Sequence, residues 1–149
     1  MKLLKWLSVT DRFTKAYLDS RFAPLGINSS QHMYLLKVCN EPGILQDSMI
    51  DSFYVHPSNI IRMIGALEKN GFLTRQPYEK DKRTCRLYPT EKAMSVCGQI
   101  QEICQDAERI LTQEISDEEQ QIFADILLKA GKRMVQQIGL NGKEDGFDE

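Results

Sequence analysis

His56-Pro-Ser-Asn-Ile-Ile-Arg-Met-Ile-Gly-Ala-Leu-Glu-Lys-Asn-Gly71 is the stretch whose reading decides the fold, together with Phe72 through Thr90 behind it. Pro57 suits a first helical turn, where its missing N–H removes no bond. Gly71 suits the left-handed residue just past a helix end. Ile60, Met63, Ile64 and Leu67 recur at i, i+3, i+4 and i+7 and share one face. Ser58, Arg62, Gly65 and Lys69 fall on the opposite face. Phe72–Pro77 and Thr84–Pro89 then read as two short strands, and residues 78–83 as a charged tip. Pro77 and Pro89 fit edge strands. A helix with one dry and one cationic side, followed by a basic hairpin, is what a winged helix-turn-helix requires.

The chain has 149 residues, 42% of them apolar and 27% charged, with a net charge of −2. That is one folded unit with enough apolar mass for a core. No apolar run approaches the ~20 residues of a membrane span. The N-terminal apolar stretch is too short and too interrupted for a signal peptide. The expectation is a cytoplasmic protein with no membrane partner. Charge is unevenly spread. Residues 56–92 hold eight Lys/Arg against four acids, a net +4, which leaves −6 for the remainder. A cationic segment in an acidic chain is the footprint of a phosphate-binding face.

Outward from the motif, Leu3–Phe22 reads as a helix stopped by Ala23-Pro24-Leu25-Gly26. Its large apolar residues need a covering surface, from the same chain or a second subunit. Ser29 and Ser30 are the expected caps of a helix over 31–39. Asn40-Glu41-Pro42-Gly43 is a turn, and residues 46–53 form a short third helix. Thr90 opens a helix running to about Gln113. Ser116 to Glu119 is a capping box starting the last helix, with Ile122, Phe123, Ile126, Leu127, Ala130 and Met134 on one face. Residues 139–149 read as a frayed, disordered acidic tail.

Residues 49–93 resemble the MarR family of bacterial transcription regulators. The resemblance rests on residues 55–58, Arg62, the helix end 67–75, Asp81-Lys-Arg83, and residues 87–92 with Thr90 opening the next helix. It implies a mainly α fold with a small β-hairpin wing: a winged helix-turn-helix over 29–90, flanked by dimerisation helices over 1–28 and 91–138. It further implies a homodimer that binds a double-stranded DNA operator, acts as a repressor, and is released by a small aromatic or lipophilic effector. On this pattern Pro57, Ser58, Asn59 and Arg62 lie at the reading end of the helix. Arg75, Lys80, Lys82 and Arg86 contact phosphates, and Arg83 enters the minor groove, oriented by Asp81. Arg75 has a second reading, an ion pair with Glu68 or Asp81. The chain departs from the family at Ile61, Gly65 and Ala66, where polar or charged residues are usual. Ile61 either meets a thymine methyl or is core, and core is slightly favoured.

An effector cleft is assigned to Phe13, Tyr17, Arg21, His32 and Tyr34, which also read as plain core or interface. Cys39, Cys85, Cys97 and Cys104 form no C-x-x-C and no zinc spacing with His32 or His56, so neither metal nor cofactor is expected. Four reduced thiols are the expectation. Cys97 and Cys104 sit about 10 Å apart along a helix and cannot bridge each other. Cys85, beside Arg83 and Arg86, is the redox candidate, because cationic neighbours lower a thiol pKa. Two alternatives to the ligand-released regulator are a redox sensor and a winged-helix protein-interaction module. Nucleophile elbow, phosphate loop, metal cluster and paired carboxylates are all missing from the sequence, which argues against an enzyme.

Overall fold

The computed structural model describes residues 1–139. The acidic-tail expectation therefore lies, but for Gly139, outside the described residues. In chain order the elements are α1 (Leu3–Phe22), a 3₁₀ turn (Ala23–Leu25), α2 (His32–Asn40), β1 (Ile44–Leu45), α3 (Ser48–Phe53), α4 (Pro57–Lys69), β2 (Leu73–Pro77), β3 (Cys85–Pro89), α5 (Glu91–Thr112) and α6 (Asp117–Ile138). The fold is mainly helical with a small β wing, as expected.

α4 ends as its sequence dictates. Gly71 takes φ +80°. Its N–H bonds Glu68 O at 3.0 Å, and Phe72 N–H reaches Leu67 O at 2.9 Å. This is the Schellman arrangement, which satisfies the last carbonyls and turns the chain into β2. The antiparallel sheet has the order β1-β3-β2. Leu87 of β3 stands opposite Ile44 on one side and Arg75 on the other. The strand β1 is an addition to the expected hairpin. Two residues are too few to show alternation, so only pairing with β3 reveals it.

The core gathers Phe22, Leu35, Val38, Met49, Ile60, Ile64, Leu67, Phe72, Leu73, Leu87 and Ile100, all essentially fully buried. Each such side chain contributes about 1.5–3 kcal/mol by leaving water. It is the core of the winged helix, closed by the end of α1 and by α5. Thr90 Oγ1 accepts from Ala93 N–H at 3.3 Å and donates to Gly71 O at 2.6 Å, tying the start of α5 to the end of α4. The capping box at Ser116 and Glu119 is formed.

Three expectations are corrected here. Ser29 and Ser30 do not cap α2; its N-cap is Gln31, without a side-chain bond. Ser30 N–H and Oγ–H instead both donate to Asn28 Oδ1, and Ser29 N–H donates to Asp19 Oδ1. The local turn wins because Asn and Ser side chains bond nearby backbone as readily as a helix end. Ile61 is not core: it is 54% exposed, since the helix buries only Ile60, Ile64 and Leu67. The four thiols are not all separate either. Cys39 of α2 and Cys97 of α5 are joined sulfur to sulfur, leaving Cys85 and Cys104 free. Their 58-residue separation hides this contact from any reading of spacing.

The long outer helices are left open. α6 buries none of its residues. Ile122, Phe123, Ile126, Leu127, Leu128, Met134 and Ile138 are exposed, as are Leu3, Leu4, Trp6, Leu7 and Phe13 of α1.

Candidate nucleic-acid interface

The outward face of α4 carries Ser58, Ile61, Arg62 and Lys69, all exposed. Its N-terminus is built by His56, whose Nδ1 accepts from Ser58 N–H at 3.2 Å and lies 2.7 Å from Ser58 Oγ. His56 is thus the N-cap, and Ser58 is oriented by it. The signal was in the sequence, since the residue before a Pro at the first helical position is the cap. One turn on, Asn59 Oδ1 accepts from Arg62 Nη2 at 2.8 Å. The bond holds the guanidinium of the exposed Arg62 beside the start of the helix. A Cβ at Gly65 would lie 3.5 Å from Arg75 Nη2, an ordinary contact.

The wing is the second part of the surface. Asp81 grips Arg83 with three bonds: Oδ1 accepts from Arg83 N–H at 3.0 Å and from Nε at 3.1 Å, and Oδ2 accepts from Nη2 at 3.1 Å. The Arg83 side chain is nevertheless 89% exposed. Its guanidinium holds the Asp81 carboxyl below the usual range, and Asp81 in turn raises the pKa of Arg83. Lys80 and Lys82 flank the pair, exposed and without a carboxylate partner among the described residues.

The remaining expected cations are engaged within the chain. Arg75 pairs with Glu68 across 3.4 Å, and Arg86 donates to Gly43 O at 2.8 Å while its guanidinium lies over the Tyr78 ring. Arg86 therefore braces β3 against the turn before β1. Gly43 is required there: it has φ +86°, and a Cβ would fall 3.1 Å from the Tyr88 hydroxyl. Arg62 with Lys80, Lys82 and Arg83 thus form two exposed cationic points on each winged helix, the helix face and the hairpin tip.

A MarR-family sequence profile matches residues 27–85, which span α2, β1, α3, α4, β2 and the start of β3. Residues 27–85 form a MarR-family winged helix. The chain is similar to the "Uncharacterized HTH-type transcriptional regulator YybA" of Bacillus subtilis (strain 168), 24% identical over 132 residues, covering 89% of this chain and 88% of that protein. It is similar to the crystal structure of the transcriptional regulator SlyA, with 28% identity, TM-score 0.84, and coverage of 92% of this chain and 96% of that one. A MarR family regulator from Listeria monocytogenes, solved in complex with 26mer DNA, shares the fold at TM-score 0.83 and 23% identity, covering 98% and 97% of the two chains. The chain thus carries a MarR-family winged helix over residues 27–85 and shares its fold with solved MarR-family regulators.

The expected effector residues are not gathered into one cleft. Phe13 and Tyr17 line a groove between α1 and α5 with Ile110 and Leu111. Arg21 is held by the Tyr17 hydroxyl (2.6 Å) and Asp106 (3.2 Å). Tyr34 is buried edge-on against Phe53. His32 alone faces a separate groove of about 490 Å³, lined by Leu3, Trp6, Leu7, Lys15 and Phe123 among others. His32 Nδ1 donates to Ser29 O at 2.6 Å, and burial pushes its pKa below the ordinary value.

Cys85 differs from expectation. Its Sγ donates to Gln46 Oε1 at 3.5 Å, and burial pushes its pKa up, outweighing the lowering by Arg75. Desolvation disfavours the thiolate more than nearby cations favour it. No helix among the described residues is long and apolar enough to cross a membrane.

Proposed function

We propose that this regulator acts as a homodimer that presses two winged helices onto a double-stranded DNA operator and represses transcription by occupying it. The observation that carries the dimer is α6, a helix of 22 residues with an apolar face and none of it buried. An exposed apolar patch spanning α1 and α6 is far larger than a monomer leaves to water, and a second copy offers the same face in return. Residues 1–28 and 91–138 then serve as the dimerisation part and 29–90 as the reading part. Pro57, Ser58, Asn59 and Arg62 enter the major groove, where Arg reads guanine bidentately. Lys80 and Lys82 hold phosphates, Arg83 reaches the minor groove with Asp81 orienting it, and Arg75 and Arg86 keep the wing in place beside the backbone. DNA bound to the Listeria monocytogenes protein of the same fold supports the arrangement.

Release is assigned to a small aromatic or lipophilic effector. The groove at α1, α2 and α6 has mostly apolar walls, with Asp11, Lys15 and His32 among its lining and Lys15 paired to Asp11 at 2.9 Å. Such a site suits a small apolar ligand.

Sedimentation of wild type and Phe123→Asp, with anisotropy on a duplex from the promoter of its own gene, tests the reading. The wild type should sediment as a dimer and bind with steep salt dependence. The variant should shift to monomer and lose most of its affinity, because two linked half-sites become one. A monomeric wild type, or binding that ignores salt, would overturn it.

A further inference from the structure

We propose that Cys39 and Cys97 form a reversible thiol–disulfide pair that locks the winged helix to the long helix α5 in response to a low-molecular-weight disulfide. The two sulfurs meet although 58 residues separate them, while Cys85 and Cys104 remain free. The pair sits at a boundary. Cys39 belongs to α2, whose Tyr34, Leu35 and Val38 are part of the winged-helix core. Cys97 belongs to α5, which runs from that core out to the exposed Ile110 and Leu111. A bond between them joins the reading part to the helices assigned above to dimerisation.

The two thiols differ in access: Cys39 is half-buried and Cys97 nearly fully buried. Cys39 is therefore the attacking group. Its thiolate displaces one thiolate from the small disulfide, giving a mixed disulfide on Cys39 and one free small thiol. The Cys97 thiolate then attacks the Cys39 sulfur and expels the second small thiolate. Two protein thiols are oxidised and one small disulfide is reduced to two thiols. A small dithiol reverses the sequence. The locked pair fixes α2 against α5, so two winged helices in a dimer lose freedom to adjust their separation to the half-sites on DNA. This last step rests on the DNA-binding dimer proposed above.

The full chain is equilibrated with oxidised glutathione or with dithiothreitol, and its thiols are counted by alkylation and mass spectrometry. Four thiols are expected in the reduced state and two in the oxidised, with a Cys39–Cys97 peptide recovered. The oxidised unfolding midpoint should rise by roughly 10 °C, a rise missing from Cys39→Ser and from Cys97→Ser. Affinity for duplex DNA at fixed salt should differ at least threefold between the two states of the wild type and not between those of Cys39→Ser. Four thiols surviving glutathione disulfide, cross-links between chains, or equal affinity in both states would each overturn the proposal. A reduced chain that binds no DNA would sink the operator reading instead and leave the thiol count standing.

Discussion

Replacing Asp81 by Ala sets two physical effects against each other, and the structure says which should win. On charge alone the change removes two acids from the DNA-facing side of the proposed dimer and should tighten binding. Asp81, however, makes all three polar bonds that hold Arg83, one of them to its backbone. Without them a side chain already 89% exposed must be ordered by the DNA itself. Ordering one long side chain costs roughly a threefold to tenfold loss of affinity, and two wings square that factor. Asp81→Ala should therefore weaken binding by about ten- to a hundredfold. The slope of log affinity against log salt should hardly change, because no cation is lost. Arg83→Ala gives the contrast: it removes one phosphate-range cation per wing, so the slope should fall by about 1.8 for a dimer. Its deficit relative to wild type should then shrink about twelvefold between 50 and 200 mM salt. Anisotropy titrations on one labelled duplex over that salt range measure both. An Asp81→Ala variant that binds more tightly than wild type would show that Asp81 acts as a repelling charge and that its grip on Arg83 is irrelevant.

Other outcomes follow from single residues. Ile61, exposed on α4, should read a thymine methyl. Substituting deoxyuridine for one thymine of a selected duplex should cost the wild type roughly fourfold in affinity, the worth of one methyl group, and cost Ile61→Ala nothing; no sensitive thymine would remove Ile61 from the reading face. Thr84 Oγ1 is buried without a partner within the described protein, so Thr84→Val should stabilise by about 1 kcal/mol in urea unfolding, and a destabilised variant would reveal a bond to solvent at that site. Burial depresses the pKa of His32, so the unfolded chain binds its proton more readily than the folded one. Stability should be complete above the unfolded value of about 6.5 and fall as pH drops below it. His32→Asn should flatten that limb of the denaturation profile, and an unchanged limb would assign it to another group.

The elements that local chemistry controls were readable one by one. Pro57 and Gly71 bound α4, Thr90 caps α5, and Ser116 with Glu119 caps α6, because each satisfies backbone groups within three or four residues of itself. The period of Ile60, Ile64 and Leu67 gave the dry face, and Asp81 and Arg83 are two residues apart. The exposed Arg62 and the Asp81–Arg83 pair were legible for the same reason; His56, not singled out, takes its capping role from its place before Pro57.

What failed to show in the sequence is what depends on distant partners. β1 exists only because Ile44 finds Leu87. Cys39 meets Cys97 across 58 residues. Arg86 is drawn to Gly43 O, Arg75 to Glu68, and Cys85 is desolvated enough to reverse the effect of its cationic neighbours. Spacing alone cannot report which of several equivalent charges or thiols lies within reach of another. The sequence by itself determined the helix ends, the dry face of α4 and the cationic wing, since those follow from backbone bonding and periodicity. Only the tertiary structure decided which cations stay exposed and which thiols touch, because both depend on packing that brings separate segments together.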